Sequence, residues 1–119
     1  MKKELKKLPP TVKTKWLEAL RSGKYKQTIG KLRKPNGFCC LGVLYDVTSK
    51  NKWDNDKDQY CTISGSDSNL NSADVSKNLI KVLDQPLKND VDSIQGYLAE
   101  NNDRGWGFKK IANWIEKNL

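Results

Sequence analysis

The most apolar stretch of this chain is Phe38-Cys39-Cys40-Leu41-Gly42-Val43-Leu44-Tyr45-Asp46-Val47, and it follows directly on a strong turn signal, Lys34-Pro35-Asn36-Gly37. At helical spacing Cys40, Val43, Leu44 and Val47 share one face, while Leu41 and Tyr45 occupy another. A helix that is apolar on two sides belongs at the centre of a fold. Gly42 within it would let another backbone approach closely. A buried strand is the competing reading, because a short apolar run does not separate the two periods. The rest of the chain is polar, with 36% hydrophobic and 30% charged residues over 119 positions. One modest core built around this block is therefore expected, in a single domain over 1–119 with 1–8 as a flexible basic terminus. Four Trp, four Tyr and two Phe argue against intrinsic disorder. No apolar run approaches the roughly 18 residues of a membrane span, and no signal-peptide pattern opens the chain.

Flanking patterns complete an α+β expectation of about four helices with a small antiparallel sheet or hairpin. A helix is predicted after Pro9 and Pro10, running to about Ser22, with Val12, Trp16, Ala19 and Leu20 on one face and Gly23 as its stop. A short strand is predicted over 28–33. The segment 53–65 reads as a polar hairpin or loop, with a strand at 59–63. Ser72 would cap a helix over 73–83 that buries Val75, Leu79, Val82 and Leu83, and Pro86 would end it. A further helix starts near Asp92 and runs to about Glu100, followed by a polar turn over 101–105. The clearest helix is 108–119, with Phe108, Ile111, Ala112, Ile115 and Leu119 in one stripe and Trp114 off it. The core should hold Trp16, Leu20, Phe38, Cys40, Val43, Leu44, Val47, Leu79, Ile111 and Ile115.

Histidine is absent. That removes Ser-His-Asp and Cys-His catalysis and His-ligated zinc. The three cysteines, Cys39, Cys40 and Cys61, make a poor disulfide framework and suit a reducing cytosol. Without a basic partner Cys39 and Cys40 read as small buried apolar residues rather than nucleophiles. Asp54, Asp56 and Asp58 alternate like the start of a calcium loop, but Gln59 and Gly65 stand where such a loop needs Gly and Glu. No catalytic residue, metal site or cofactor is assigned, and the chain reads as a non-enzyme.

Charge is the stronger signal. The chain carries +8, yet residues 1–34 hold 12 basic residues and two acids, so the first third is +10 and the remainder −2. Such asymmetry favours an anionic partner. Within it Lys24, Tyr25, Lys26, Gln27, Thr28, Lys31 and Arg33 mix cationic and neutral donors around Gly30, the ingredients of a phosphate site. Tyr25, Trp53 or Trp106 would stack on a base. A basic connection with Tyr25 packed on the core is the plainer reading. A DNA-reading last helix would present Lys109, Lys110, Asn113 and Lys117, a face weakened by Glu116 and Trp114.

Three blocks carry a resemblance: Ala19-Leu20-Arg21-Ser22-Gly23-Lys24-Tyr25-Lys26-Gln27, then Gly30 with Leu32 and Arg33, then Gly37-Phe38-Cys39-Cys40-Leu41-Gly42-Val43-Leu44. With the ending Asn102-Asp103-Arg104-Gly105-Trp106-Gly107-Phe108, followed by Ile111-Ala112, the chain resembles a family of small, mostly unassigned proteins of tailed bacteriophages and prophages. Gly107 stands where that family usually has a capping Ser. The resemblance implies a phage-encoded protein of the infected bacterial cytoplasm. By class analogy, it implies a binding role, sequestering a nucleotide-type immune signal. The alternatives are a nucleic-acid-binding accessory protein and a stoichiometric inhibitor of an acidic host protein. A homo-oligomer with Trp114 at a contact is also expected.

Overall fold

A computed structural model describes residues 5–49, 53–56, 59–87 and 93–119. Among them the chain forms five helices and two short antiparallel hairpins, an α+β fold. In order these are α1 (Pro10–Arg21), β1 (Arg33–Lys34), β2 (Gly37–Phe38), α2 (Cys40–Thr48), β3 (Asp54–Asp56), β4 (Gln59–Cys61), α3 (Lys77–Leu83), α4 (Ile94–Asp103) and α5 (Phe108–Asn118).

The apolar block is helical, and it is the centre of the fold. Residues Cys40 to Tyr45 are all buried, and α2 packs on α1, α4 and β2. Its two apolar sides are thus both covered, as a helix of this pattern requires. The α1 indole of Trp16 is fully buried and its Nε1 donates to the Cys40 carbonyl at 2.9 Å. Gly42 meets a backbone: a Cβ placed there would lie 1.9 Å from the Leu32 oxygen. Of the expected core, Phe38 and Val47 are only half-buried, while the other eight residues are buried.

The turn at 34–37 joins β1 to β2 with Arg33 opposite Phe38 and Lys34 opposite Gly37. The second hairpin pairs Asp54 with Cys61 and Asn55 with Tyr60, within the segment read as a hairpin or loop. Asp58 lies outside the described residues, as does Asp92.

Three expectations are corrected. Residues 28–33 do not form a strand; only Arg33 and Lys34 pair, and Gln27 makes a single parallel bridge with Phe38. The segment instead turns through Gly30 at φ +84°, and its polar groups go to tertiary partners. Leu32 N donates to the Asp67 carbonyl, and Gly30 N to the Asp103 carboxylate. The third helix is capped by Ser76, whose oxygen accepts from Leu79 N, and not by Ser72. Asp74 holds the preceding residues in a turn, its carboxylate accepting from Asn71 N, Ser64 N and Ser64 Oγ. The 101–105 turn is shorter than expected because α4 continues to Asp103. There Ser93 supplies the N-cap, accepting from Gly96 N.

The segment before α1 is joined to the end of α5. Leu8 is buried and its N–H donates to the Leu119 carbonyl at 2.9 Å. Lys7 Nζ and Lys13 Nζ donate to the carbonyls of Asn118 and Glu116, and Arg21 pairs with the Glu116 carboxylate at 2.7 Å. Three cations of the basic first third thus serve the carbonyl end of α5, where the helix dipole favours positive charge.

Candidate functional site

Arg33 is the centre of the site. Strand pairing sets its side chain beside Phe38, and the second hairpin brings Tyr60 and Trp53 to the same place. Its guanidinium carbon lies 4.2 Å from the Tyr60 ring centre, 4.7 Å from Phe38 and 5.5 Å from Trp53. A delocalised, weakly hydrated guanidinium suits such faces. The rings brace one another edge to face: Tyr25 on Phe38 at 5.0 Å and Trp53 on Tyr45 at 4.7 Å. Among the described residues Arg33 has no carboxylate partner and donates no hydrogen bond. Its five N–H donors therefore reach solvent while its face is covered.

Asp46, on α2, closes the cluster. One carboxylate oxygen accepts from Tyr25 Oη and the other from Trp53 Nε1 at 3.0 Å. Burial, the bond to Asp46 and the Asp46 charge push the Tyr25 phenol up to about 12, against a smaller opposing effect of Arg33. Tyr25 therefore stays a donor at every ordinary pH.

The other residues singled out from the sequence are placed differently. Lys31 pairs with Asp67 at 2.6 Å. Gln27 Nε2 donates to Asn102 Oδ1 and to the Trp106 carbonyl, and Thr28 is buried with its carbonyl accepting from Asn102 Nδ2. These two hold the loop rather than face solvent with free donors. Trp106 belongs to a separate group, against Tyr97 at 6.0 Å with Lys110 over its ring at 4.8 Å. Trp114 packs on Tyr97 at 5.2 Å and is half-buried. Lys24 and Lys26 are exposed, and Lys34 is half-buried beside Gly30. The structure thus brings Tyr25, Arg33 and Trp53 together and sets Gln27, Thr28 and Trp106 apart from them.

Asp46 and Tyr60 carry no sequence signal of this role, because both reach the cluster only through tertiary packing. Asn102 is the other unannounced residue. It is buried, donates to Thr28, and accepts from Gln27 and from Cys40 N at 3.2 Å. It thereby caps α2, whose own N-cap residue, Cys39, offers no side-chain bond. With Asp103 on Gly30 N, the Asn102-Asp103 pair of the C-terminal pattern fixes the loop that leads to Arg33.

Cys39 and Cys40 are buried, and burial pushes the Cys39 thiol up to about 11 and the Cys40 thiol well above its usual range. Neither is poised as a nucleophile.

No curated protein and no solved structure matches this chain. A family model does match, over residues 8–119, so the chain belongs to the family described as Domain of unknown function (DUF8296).

Proposed function

We propose that this chain is a non-enzymatic binding protein for an anionic ligand of the nucleotide class, with Arg33 as the phosphate contact. One observation carries the reading: a guanidinium seated on three aromatic rings with none of its donors used by the described residues. Such a group is pre-organised for a bidentate contact to phosphate. Exposed Lys24 and Lys26, with Lys34 next to Arg33 in β1, add positive potential without occupying the site. Trp53 and Tyr60 are half-buried beside it. In the phage setting suggested by the sequence, the ligand is a nucleotide-type immune signal of the bacterial host, and binding sequesters it.

Calorimetric titration with nucleoside monophosphates, cyclic dinucleotides and short oligonucleotides at two salt concentrations tests this. A nucleotide binding with defined stoichiometry, lost in Arg33→Ala, is the expected result. Binding confined to oligonucleotides and falling steeply with salt would move the assignment to nucleic acid. No binding of any anion would overturn the reading and leave an acidic protein target.

A further inference from the structure

Asp46 is an unexpected neighbour for an anion site. A carboxylate in the same cluster as Arg33 repels an incoming phosphate, and Tyr25 lies close enough to feel both charges at once. Yet neither Asp46 oxygen turns to the guanidinium. One takes the Tyr25 hydroxyl and the other takes the Trp53 indole N–H. The carboxylate thereby ties two rings from distant parts of the chain, one after α1 and one before β3, at fixed positions around Arg33.

We infer that Asp46 is a positioning and specificity-determining residue of the Arg33 site: it fixes the Trp53 and Tyr25 rings, and so selects a phosphate that carries an aromatic base over phosphate alone. The inference rests on the anion-binding reading above. Its consequence is an opposition of signs. Asparagine at position 46 removes the repelling charge but accepts from only one of the two donors, since its amide nitrogen meets the other donor head-on. A ring-free anion gains from the first change. A ring-bearing one loses from the second.

Wild type and Asp46→Asn are titrated by calorimetry with adenosine monophosphate and with inorganic phosphate, in a phosphate-free buffer. Expected is a rise in phosphate affinity of about two- to fivefold, the range of a partly exposed charge pair. Adenosine monophosphate affinity falls by about fivefold or more, the low end of base stacking on an aromatic side chain. Tyr25→Phe, which keeps every charge but removes one of the two ties to Asp46, lowers nucleotide affinity; it serves equally if Asp46→Asn does not fold. Both ligands moving in one direction, or neither moving, overturns the role of Asp46 while leaving the anion site standing. Wild type binding neither ligand overturns the anion site and this inference with it.

Discussion

Gly42 and Leu32 touch backbone to backbone: a Cβ on Gly42 would sit 1.9 Å from the Leu32 carbonyl oxygen and 2.8 Å from its carbon. That contact sets the central helix against the loop that ends in Arg33. The same Leu32 carbonyl accepts from Cys39 N at 2.9 Å, so the loop cannot retreat without losing a buried hydrogen bond.

Gly42→Ala sets two effects against each other. Alanine gains about 1 kcal/mol of helix propensity. Overpacking costs about 1–3 kcal/mol, towards the high end when the atom struck is backbone. A net loss of about 2 kcal/mol is expected. Urea denaturation checks it; an unchanged or raised midpoint would show that the loop shifts freely.

Asn102→Ala removes three hydrogen bonds and strands the Cys40 N–H and the Thr28 carbonyl in the interior. Each stranded buried group costs about 1–3 kcal/mol, so a loss of about 3 kcal/mol is expected. Amide exchange localises the effect: Cys40 N should lose protection more than the amides of α5. Uniform loss across both helices would mean that Asn102 acts on global stability and not as the cap of α2.

Lys31 and Arg33 are neighbours in sequence with different fates. The Asp67 carboxylate bonds to Lys31, raising the lysine above its usual value, and the same bond lowers Asp67; the two directions agree. Lys31→Ala should therefore change nucleotide affinity by no more than about fivefold, because an exposed pair is worth under 1 kcal/mol. Arg33→Ala should abolish binding. Asp67→Asn frees the lysine and should strengthen binding. The pair is intact above the ordinary carboxylate range and is lost as pH falls through the lowered Asp67 value. Equal losses in the Lys31 and Arg33 variants, by titration calorimetry, would contradict this division.

Thiol chemistry separates the cysteines. At about pH 8 a thiol reagent should modify only half-buried Cys61 in native protein, since the reactive species is the thiolate. Cys39 and Cys40 should react only after unfolding. Because burial raises both thiols, the folded chain keeps protons that the unfolded chain releases. Stability is then full below the unfolded thiol value of about 8.5 and declines above it by about 1.4 kcal/mol per pH unit for each thiol. The Cys39 contribution levels off near its folded value of about 11. A stability curve flat from neutral to alkaline pH would show that these thiols ionise in the folded chain.

Local pattern alone determined much of the architecture. The two-sided apolar block pointed to a central helix with a buried strand as its rival, the Lys34-Pro35-Asn36-Gly37 segment announced a turn, and the Ile111, Ala112 and Ile115 stripe specified a one-faced last helix. These features rest on periodicity and turn chemistry, which act over a few residues. Tertiary structure decided where local rules left several equal choices. Ser72 and Ser76 are both good caps, and the turn around Asp74 chose between them. Residues 28–33 alternate enough for a strand, but Asn102, Asp103 and Asp67 take their polar groups and keep them a loop. The same holds for charge. Composition announced a basic first third, but charge density does not say which cations are already paired. Helix α5 takes Lys7, Lys13 and Arg21, Asp67 takes Lys31, and only the meeting of two hairpins leaves Arg33 on three rings with its donors free among the described residues. Hydrogen-bond partners lie far apart in the chain, and no local pattern encodes them.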